Sequence, residues 1–163
     1  MNDRAILIVE EEEIQRLIYR AICESVWPRA EIIEAADGKA ALASASADAL
    51  HAVITDMNMP VMNGVEMLLR LRCQGFAGPA LIISGAPIAH DPLLLPYSSY
   101  RKPMRIEELK RELFRIEDRI RTKEPTRKQE SKVQAFGNQL CVRPLQRRLG
   151  TGLERSIPEM PNE

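Results

Sequence analysis

Short apolar runs alternate with helix-like segments along the first 120 residues, and this alternation constrains the fold more than any other feature of the sequence. Runs of four or five residues rich in β-branched side chains indicate strands buried on both faces, as in a parallel sheet. The clearest runs are 5–9, 52–55 and 80–83. Weaker strands are predicted at 31–34 and 97–101.

The segments between these runs have helical periodicity. Apolar residues at three- and four-residue steps define one apolar face of a helix that ends before Pro28; they are Ile14, Leu17, Ile18, Ala21, Ile22 and Val26. A similar stripe predicts a last helix over 106–120, and shorter helices are predicted at 39–49 and 65–71. Strands that alternate with helices are typical of a doubly wound α/β sheet with right-handed crossovers.

Polar side chains follow four of the predicted strands directly. Glu10 and Glu11 come after the first strand and Asp56 after the third. Ser84 and Lys102 come after the fourth and fifth strands. In sheets of this kind the carboxyl ends of the strands lie at one edge, where ligands bind. The sequence therefore predicts that these five side chains meet at that edge.

The chemistry of this set is that of phosphoryl transfer. Carboxylates held close together are costly without a cation, and Mg²⁺ suits oxygen ligands, water and a phosphoryl group. An ammonium from Lys102 and a hydroxyl from Ser84 would supply donors for the remaining phosphoryl oxygens. A carboxylate nucleophile such as Asp56 could then accept a phosphoryl group held in line.

Composition argues against several other classes of protein. Basic and acidic residues both number 23, and residues 1–120 hold 14 basic and 18 acidic side chains, which argues against nucleic acid as the main partner. The three cysteines are far apart and predict neither a disulfide framework nor a metal site. The opening apolar run is too short for a membrane span or a signal peptide. We expect a soluble, cytoplasmic protein.

The pattern changes after residue 121. Residues 121–163 hold 9 basic and 5 acidic side chains, with scattered Gly and Pro and no sustained apolar period. We therefore predict a domain at 3–121 and a basic, disordered C-terminal tail at 122–163.

Five motifs in chain order resemble the receiver domain of bacterial two-component response regulators. They are the acidic turn Val9–Glu12, the segment Ala36–Leu42, Asp56-Met-Asn-Met-Pro60 with Gly64, Ser84-Gly-Ala86, and Lys102-Pro103. The resemblance covers about residues 3–121. It implies a flavodoxin-like, five-stranded parallel sheet of order 2-1-3-4-5, and a protein that signals rather than an enzyme.

The resemblance also implies roles for individual residues. Asp56 would accept a phosphoryl group from a histidine kinase or a phosphotransfer protein, Ser84 would hydrogen-bond that group, and Lys102 would pair with it. Lys102–Pro103 would be a cis peptide. The implied Mg²⁺ ligands are Glu10, mainly through water, Glu11, Asp56 and the backbone carbonyl of Asn58. Output would be docking to a downstream protein, and the acyl phosphate could hydrolyse by itself.

The sequence departs from the family pattern at a few positions. The acidic pair is Glu-Glu, without the usual Asp, and the hydroxyl is Ser84. The interval from Ser84 to Lys102 is about one helical turn short and contains three prolines, which predicts a shortened fourth helix. Ser99 occupies the position of the family's aromatic switch residue, and Tyr97 and Tyr100 flank it.

Two other functions are compatible with parts of this pattern. A pseudo-receiver would keep the fold as an interaction module without using phosphorylation. The Glu pair and the missing ring favour it slightly, whereas the intact Asp56, Ser84 and Lys102 disfavour it. A phosphohydrolase of the haloacid-dehalogenase type also uses an Asp nucleophile with Mg²⁺. That class needs a second Asp two residues after the nucleophile, where this chain has Asn58.

Overall fold

The computed structural model describes residues 5–85, 94 and 96–122. Five parallel strands form one sheet in the order β2-β1-β3-β4-β5, which confirms the predicted fold. The strands are β1 (Ala5–Val9), β2 (Glu31–Ala35), β3 (Leu50–Asp56), β4 (Ala80–Ser84) and β5 (Tyr97–Arg101). Every residue of β1 and β4 is buried, as expected for strands in the middle of such a sheet that are apolar throughout except for Ser84 at the end of β4.

Four helices among the described residues cover the two faces of the sheet. They are α1 (Glu13–Val26), α2 (Gly38–Ser44), α3 (Gly64–Cys73) and α4 (Ile106–Thr122). One core cluster includes residues of α2 and α3, and a second, on the other face, includes residues of α1 and α4. Within this part of the chain no helix is long and apolar enough to cross a membrane.

Two predictions concern segments outside the described residues. The shortened fourth helix is predicted between β4 and β5, where residues 86–93 and 95 are not described. The predicted tail at 122–163 is described only at Thr122, the last residue of α4.

The register of the sheet places the ends of four strands at one edge. Val9 pairs with Thr55, so that Glu10 and Asp56 follow at the same level. Asp56 pairs with Ile83, and Ser84 pairs with Arg101 immediately before Lys102. The residues that follow the strands therefore converge, as the sequence predicts.

Helix α2 is shorter than predicted. It ends at Ser44, whereas the alanine pattern predicts a helix as far as residue 49. Ser46 donates its hydroxyl to the carboxylate of Asp48 over 2.6 Å. Such side chains compete with the helical backbone and favour turns, and they outweigh the helix propensity of the alanines here.

The apolar face predicted for α1 does not coincide with its buried face. Tyr19, Ile22 and Cys23 are buried against the sheet, and Trp27 is buried at the end of the helix. Three residues of the predicted face are exposed instead: Ile14, Leu17 and Ile18. Apolar residues occupy more of the surface of α1 than the sheet can bury. The periodicity of the sequence therefore does not determine which face of the helix turns toward the sheet.

Polar contacts fix the rotation of α1. Arg16 and Arg20 both reach the carboxylate of Glu34 on β2, at 3.7 Å and 2.5 Å. Arg16 also donates to the backbone carbonyl of Glu10 over 2.7 Å. These contacts hold one side of α1 against β1 and β2, and the helix consequently turns Ile14, Leu17 and Ile18 to solvent.

A buried arginine ties α3 to the start of β5. Arg72 is 6% exposed, and its guanidinium donates to four backbone carbonyls, those of Phe76, Gly78, Leu94 and Pro96, over 2.6 to 3.1 Å. The guanidinium also stacks on the Phe76 ring at 4.4 Å. Burial lowers the pKa of Arg72 to about 10, so that it remains cationic at neutral pH.

Candidate functional site

Asp56 lies at the carboxyl end of β3 with almost no exposed surface, at 3%. Its Oδ2 accepts a hydrogen bond from Lys102 Nζ over 2.7 Å. Its Oδ1 accepts one from the backbone N–H of Asn58 over 3.2 Å. Both carboxylate oxygens are therefore oriented by fixed donors, and the backbone of the loop after β3 holds one of them.

The acidic turn after β1 lies beside Asp56. Glu10 is fully buried, and Lys102 Nζ donates to its Oε1 and Oε2 over 3.3 Å and 3.0 Å. Oxygen atoms of Glu10, Glu11 and Asp56 all lie within 4.8 Å of one another. Glu11 Oε2 is buried and has no hydrogen-bond partner among the described residues. A buried carboxylate oxygen without a donor is costly unless a cation binds it.

This donor set fits Mg²⁺. The three carboxylates supply hard oxygen ligands. The backbone of Asn58 lies beside them, since its N–H donates to Asp56 Oδ1. The unpartnered Oε2 of Glu11 is the observation that favours a cation most directly.

The electrostatics of the site reflect two carboxylates that share one ammonium. Burial raises the pKa of Glu10 to about 7 even though Lys102 lowers it. Burial by itself would lower the pKa of Lys102, but its hydrogen bonds to Asp56 and Glu10 outweigh burial and hold that pKa above its ordinary value. Lys102 is therefore a permanent cation here. The excess negative charge of the group is available to a divalent cation.

Ser84 and Lys102 lie on neighbouring strand ends. Ser84 is 1% exposed at the end of β4, and its hydroxyl lies 3.4 Å from Met57 Sδ in the loop after β3. The backbone N–H of Lys102 donates to the carbonyl of Ser84 over 2.8 Å. The peptide bond between Lys102 and Pro103 is cis, as the resemblance implies. Both predicted donors are therefore at the edge that holds Asp56.

Gly64, the first residue of α3, touches the backbone of Asp56. Its N–H donates to the carbonyl of Met57 over 3.0 Å. A Cβ at this position would overlap the carbonyl oxygen of Asp56 and lie 2.7 Å from Thr55 Oγ1. Only glycine lets the helix start this close to the acceptor strand, which explains the Gly64 of the sequence motif.

The structure distinguishes between the two tyrosines beside Ser99. Side chains alternate between the faces of a strand, so that Tyr97 shares the face of Ser99 and Tyr100 lies on the other. Tyr97 packs against the core cluster of α2 and α3, while Tyr100 packs against that of α1 and α4. Tyr100 also donates its hydroxyl to buried Glu112 on α4 over 2.8 Å. Of the two flanking rings, Tyr97 is therefore the one on the same face of β5 as Ser99, the position of the family's switch residue.

Two polar residues that organise this end of the molecule could not be assigned a role from the sequence. Arg16 supports the acidic turn by donating to the carbonyl of Glu10, and Glu112 fixes Tyr100. Glu112 could have been suspected, because it lies between Leu109, Leu113 and Ile116 on the apolar side of the predicted helix. Arg16 has no comparable signal, because its partner is a backbone carbonyl, and the sequence does not show which carbonyl an arginine reaches.

A five-stranded parallel sheet of this order, with buried carboxylates and a lysine at its carboxyl edge, defines a receiver-type signalling fold. The model of the response regulator receiver domain family matches residues 6–91, more than half of the chain. This chain belongs to that family, whose members act as signalling modules.

Individual relatives agree with this assignment. The two-component response regulator ORR41 of Oryza sativa subsp. japonica is 32% identical over 88 residues, which span 53% of this chain and 69% of that protein. The alkaline phosphatase synthesis transcriptional regulatory protein PhoP of Bacillus subtilis (strain 168) is 27% identical over 94 residues, 58% of this chain but only 38% of PhoP.

Solved structures show the same fold. The chemotaxis protein CheY4 of Vibrio cholerae superposes with a TM-score of 0.58 at 26% identity, over 69% of this chain and 98% of that one. The receiver domain of the hybrid histidine kinase CckA gives a TM-score of 0.58 at 26% identity, over 69% of this chain and 97% of that one.

Proposed function

We propose that this chain is a phospho-acceptor that takes a phosphoryl group from the phosphohistidine of a histidine kinase or a phosphotransfer protein, in the cytoplasm. The observation that supports this most is the position of the Asp56 carboxylate. It is buried, lies 2.7 Å from Lys102 Nζ and shares an acidic group with Glu10 and Glu11. These three features suit phosphoryl transfer to oxygen.

In the proposed reaction an Asp56 oxygen attacks phosphorus while the bond from phosphorus to the donor nitrogen breaks, and the electron pair stays on the imidazole. Lys102 and Ser84 then contact the phosphoryl oxygens, so that Lys102 exchanges its bond to Asp56 for one to the new group. Glu10, Glu11, Asp56 and the carbonyl of Asn58 would hold Mg²⁺, which supplies neutralising charge when bound. Hydrolysis of the acyl phosphate by water would reset the protein.

Incubation with a small phosphodonor and Mg²⁺ tests this function. Intact mass should rise by one phosphoryl group, the added mass should be labile as acyl phosphates are, and chelation should prevent its appearance. A pseudo-receiver would show no change in mass under any of these conditions. The haloacid-dehalogenase alternative has no support, because the chain belongs to the receiver family.

The two glutamates should contribute unequally to Mg²⁺ binding. We expect Glu11→Gln to weaken binding more than Glu10→Gln, because Glu11 has a buried oxygen without a donor whereas Lys102 already contacts both oxygens of Glu10. Loss of a charged ligand should cost about tenfold in affinity or more. Glu11→Asp should retain binding. Calorimetric titration with Mg²⁺ measures the three constants, and a greater loss in Glu10→Gln would reverse the two roles.

We also propose that residues 3–121 form the receiver domain, that 122–163 are a tail outside its core, and that output occurs by docking of the phosphorylated surface to a downstream protein. The last apolar contacts of α4 with the core are those of Ile116 and Ile120. A chain cut after Thr122 should keep the phosphorylation rate and the melting temperature of the full chain. A fall of several degrees or of severalfold in rate would show that the tail packs on the domain.

A further inference from the structure

The peptide bond between Glu10 and Glu11 joins two of the three carboxylates of the acidic group. The backbone N–H of Glu10 donates to the carbonyl of Ala35 at the end of β2 over 3.2 Å. The carbonyl of Glu10 accepts a hydrogen bond from Arg16 Nη1 on α1 over 2.7 Å. The backbone of Glu10 is therefore held on one side by β2 and on the other by α1.

The bond from Arg16 fixes the direction in which the chain leaves Glu10. A peptide unit is planar, so a carbonyl that is held in place also fixes the N–H and the Cα of the next residue. That next residue is Glu11, whose Oε2 is buried without a hydrogen-bond donor among the described residues. The position of this oxygen therefore depends on a contact made by α1 as well as on Glu11 itself.

Arg16 is held in turn by its surroundings. Its side chain is only 19% exposed, and its Nε lies 3.7 Å from Glu34 Oε1 on β2. Its backbone N–H donates to the carbonyl of Glu12 at the start of α1 over 2.9 Å. The planar guanidinium can contact a carbonyl and a carboxylate at once, which keeps the bond to Glu10 in one geometry.

We propose that Arg16 is a positioning residue for the Mg²⁺ site, which acts by orienting Glu11 through the backbone of Glu10. This role rests on the proposed binding of Mg²⁺. Residues that orient metal ligands without touching the metal typically contribute about ten- to hundredfold to its affinity.

The charge of Arg16 acts in the opposite direction, because a cation beside the acidic group repels a second cation. Glu34 neutralises much of that charge, and the solvent that reaches the side chain screens the rest. Orientation should therefore outweigh repulsion. The sign of the effect distinguishes the two, since removal of Arg16 weakens Mg²⁺ binding in the first case and strengthens it in the second.

Calorimetric titration of the full chain with Mg²⁺ tests this role. Arg16→Met should raise the dissociation constant about tenfold. Arg20→Met is the matched control, because Arg20 lies one turn further along α1 and also pairs with Glu34, but its described hydrogen bonds go to Glu24 and Glu34 and not to Glu10. This variant should leave the constant unchanged within error. Melting temperatures without Mg²⁺ verify that both variants are folded.

A double variant tests the route through Glu11. In a Glu11→Gln background, Arg16→Met should cause a much smaller further loss of affinity, because the ligand that it orients has already lost its charge. Labelling of Arg16→Met by a small phosphodonor should reach the normal extent at saturating Mg²⁺, while half-maximal labelling should need correspondingly more Mg²⁺.

Three results would overturn the role of Arg16. They are binding by Arg16→Met as tight as that of the unchanged chain or tighter, an equal loss in Arg20→Met, and an undiminished loss in the Glu11→Gln background. Failure of the unchanged chain to bind Mg²⁺ would refute the metal site itself, and with it the role of Arg16.

Discussion

Asp56→Asn is expected to take up no phosphoryl group from a small phosphodonor under conditions in which the unchanged chain is labelled. The amide is neutral and is not a nucleophile toward phosphorus, whereas the carboxylate is oriented by Lys102 and by the N–H of Asn58. Folding should be retained, because the variant removes one of two carboxylates that share a single ammonium. Intact mass spectrometry with and without Mg²⁺ measures the result.

Asp37→Asn is the matched control for that experiment. Asp37 is another aspartate in a loop after a strand, but it caps α2 by accepting bonds from the N–H groups of Lys39 and Ala40. Asparagine is an equally good N-cap, so this variant should be labelled normally and should melt near the temperature of the unchanged chain. Stoichiometric labelling of Asp56→Asn, or loss of labelling in Asp37→Asn, would contradict the assignment of the acceptor.

The sheet and its polar edge could be predicted from the sequence because each depends on local signals. Apolar runs buried on both faces identify the strands, and residues that follow such strands must meet at one edge once the sheet is parallel. The contacts of Glu10 and Asp56 with Lys102 are of this kind. The roles of these residues in phosphorylation and in Mg²⁺ binding remain predictions.

Features that depend on contacts between distant residues could not be predicted. The rotation of α1 is fixed by Glu34 on another strand, and periodicity gives no information about that partner. Alternation along β5 places Tyr97 on the face of Ser99, but only the structure shows that Tyr100 is held on the opposite face by Glu112. Of the two rings that flank Ser99, Tyr97 is therefore the one placed to act as a switch, because Tyr100 is held on the opposite face of β5.

The largest effect on stability is expected from Arg72→Met. Methionine fills a similar apolar volume over Phe76 but leaves four buried or half-buried carbonyls without their donor. Each such loss costs about 1–3 kcal/mol when water cannot replace the donor, and partial relaxation makes the sum smaller than four times that value. We expect the free energy of unfolding to fall by about 3–5 kcal/mol, measured by urea denaturation.

Arg70→Met is the control, because Arg70 lies one half-turn away on the exposed side of α3 and pairs only with Glu66 over 2.7 Å. An exposed i,i+4 pair contributes about 0.3–0.5 kcal/mol, so this variant should be nearly neutral.

The two variants also differ in where the fold should loosen. Arg72 holds the carbonyl of Pro96, which also accepts the N–H of Ala80 over 3.0 Å where β4 and β5 begin. In Arg72→Met, amide exchange should therefore accelerate first in β5, the edge strand that precedes Lys102. If Arg72→Met proved as stable as Arg70→Met, water would be able to replace the guanidinium as donor to the four carbonyls. The start of β5 would then be held by its hydrogen bonds to β4 and not by Arg72.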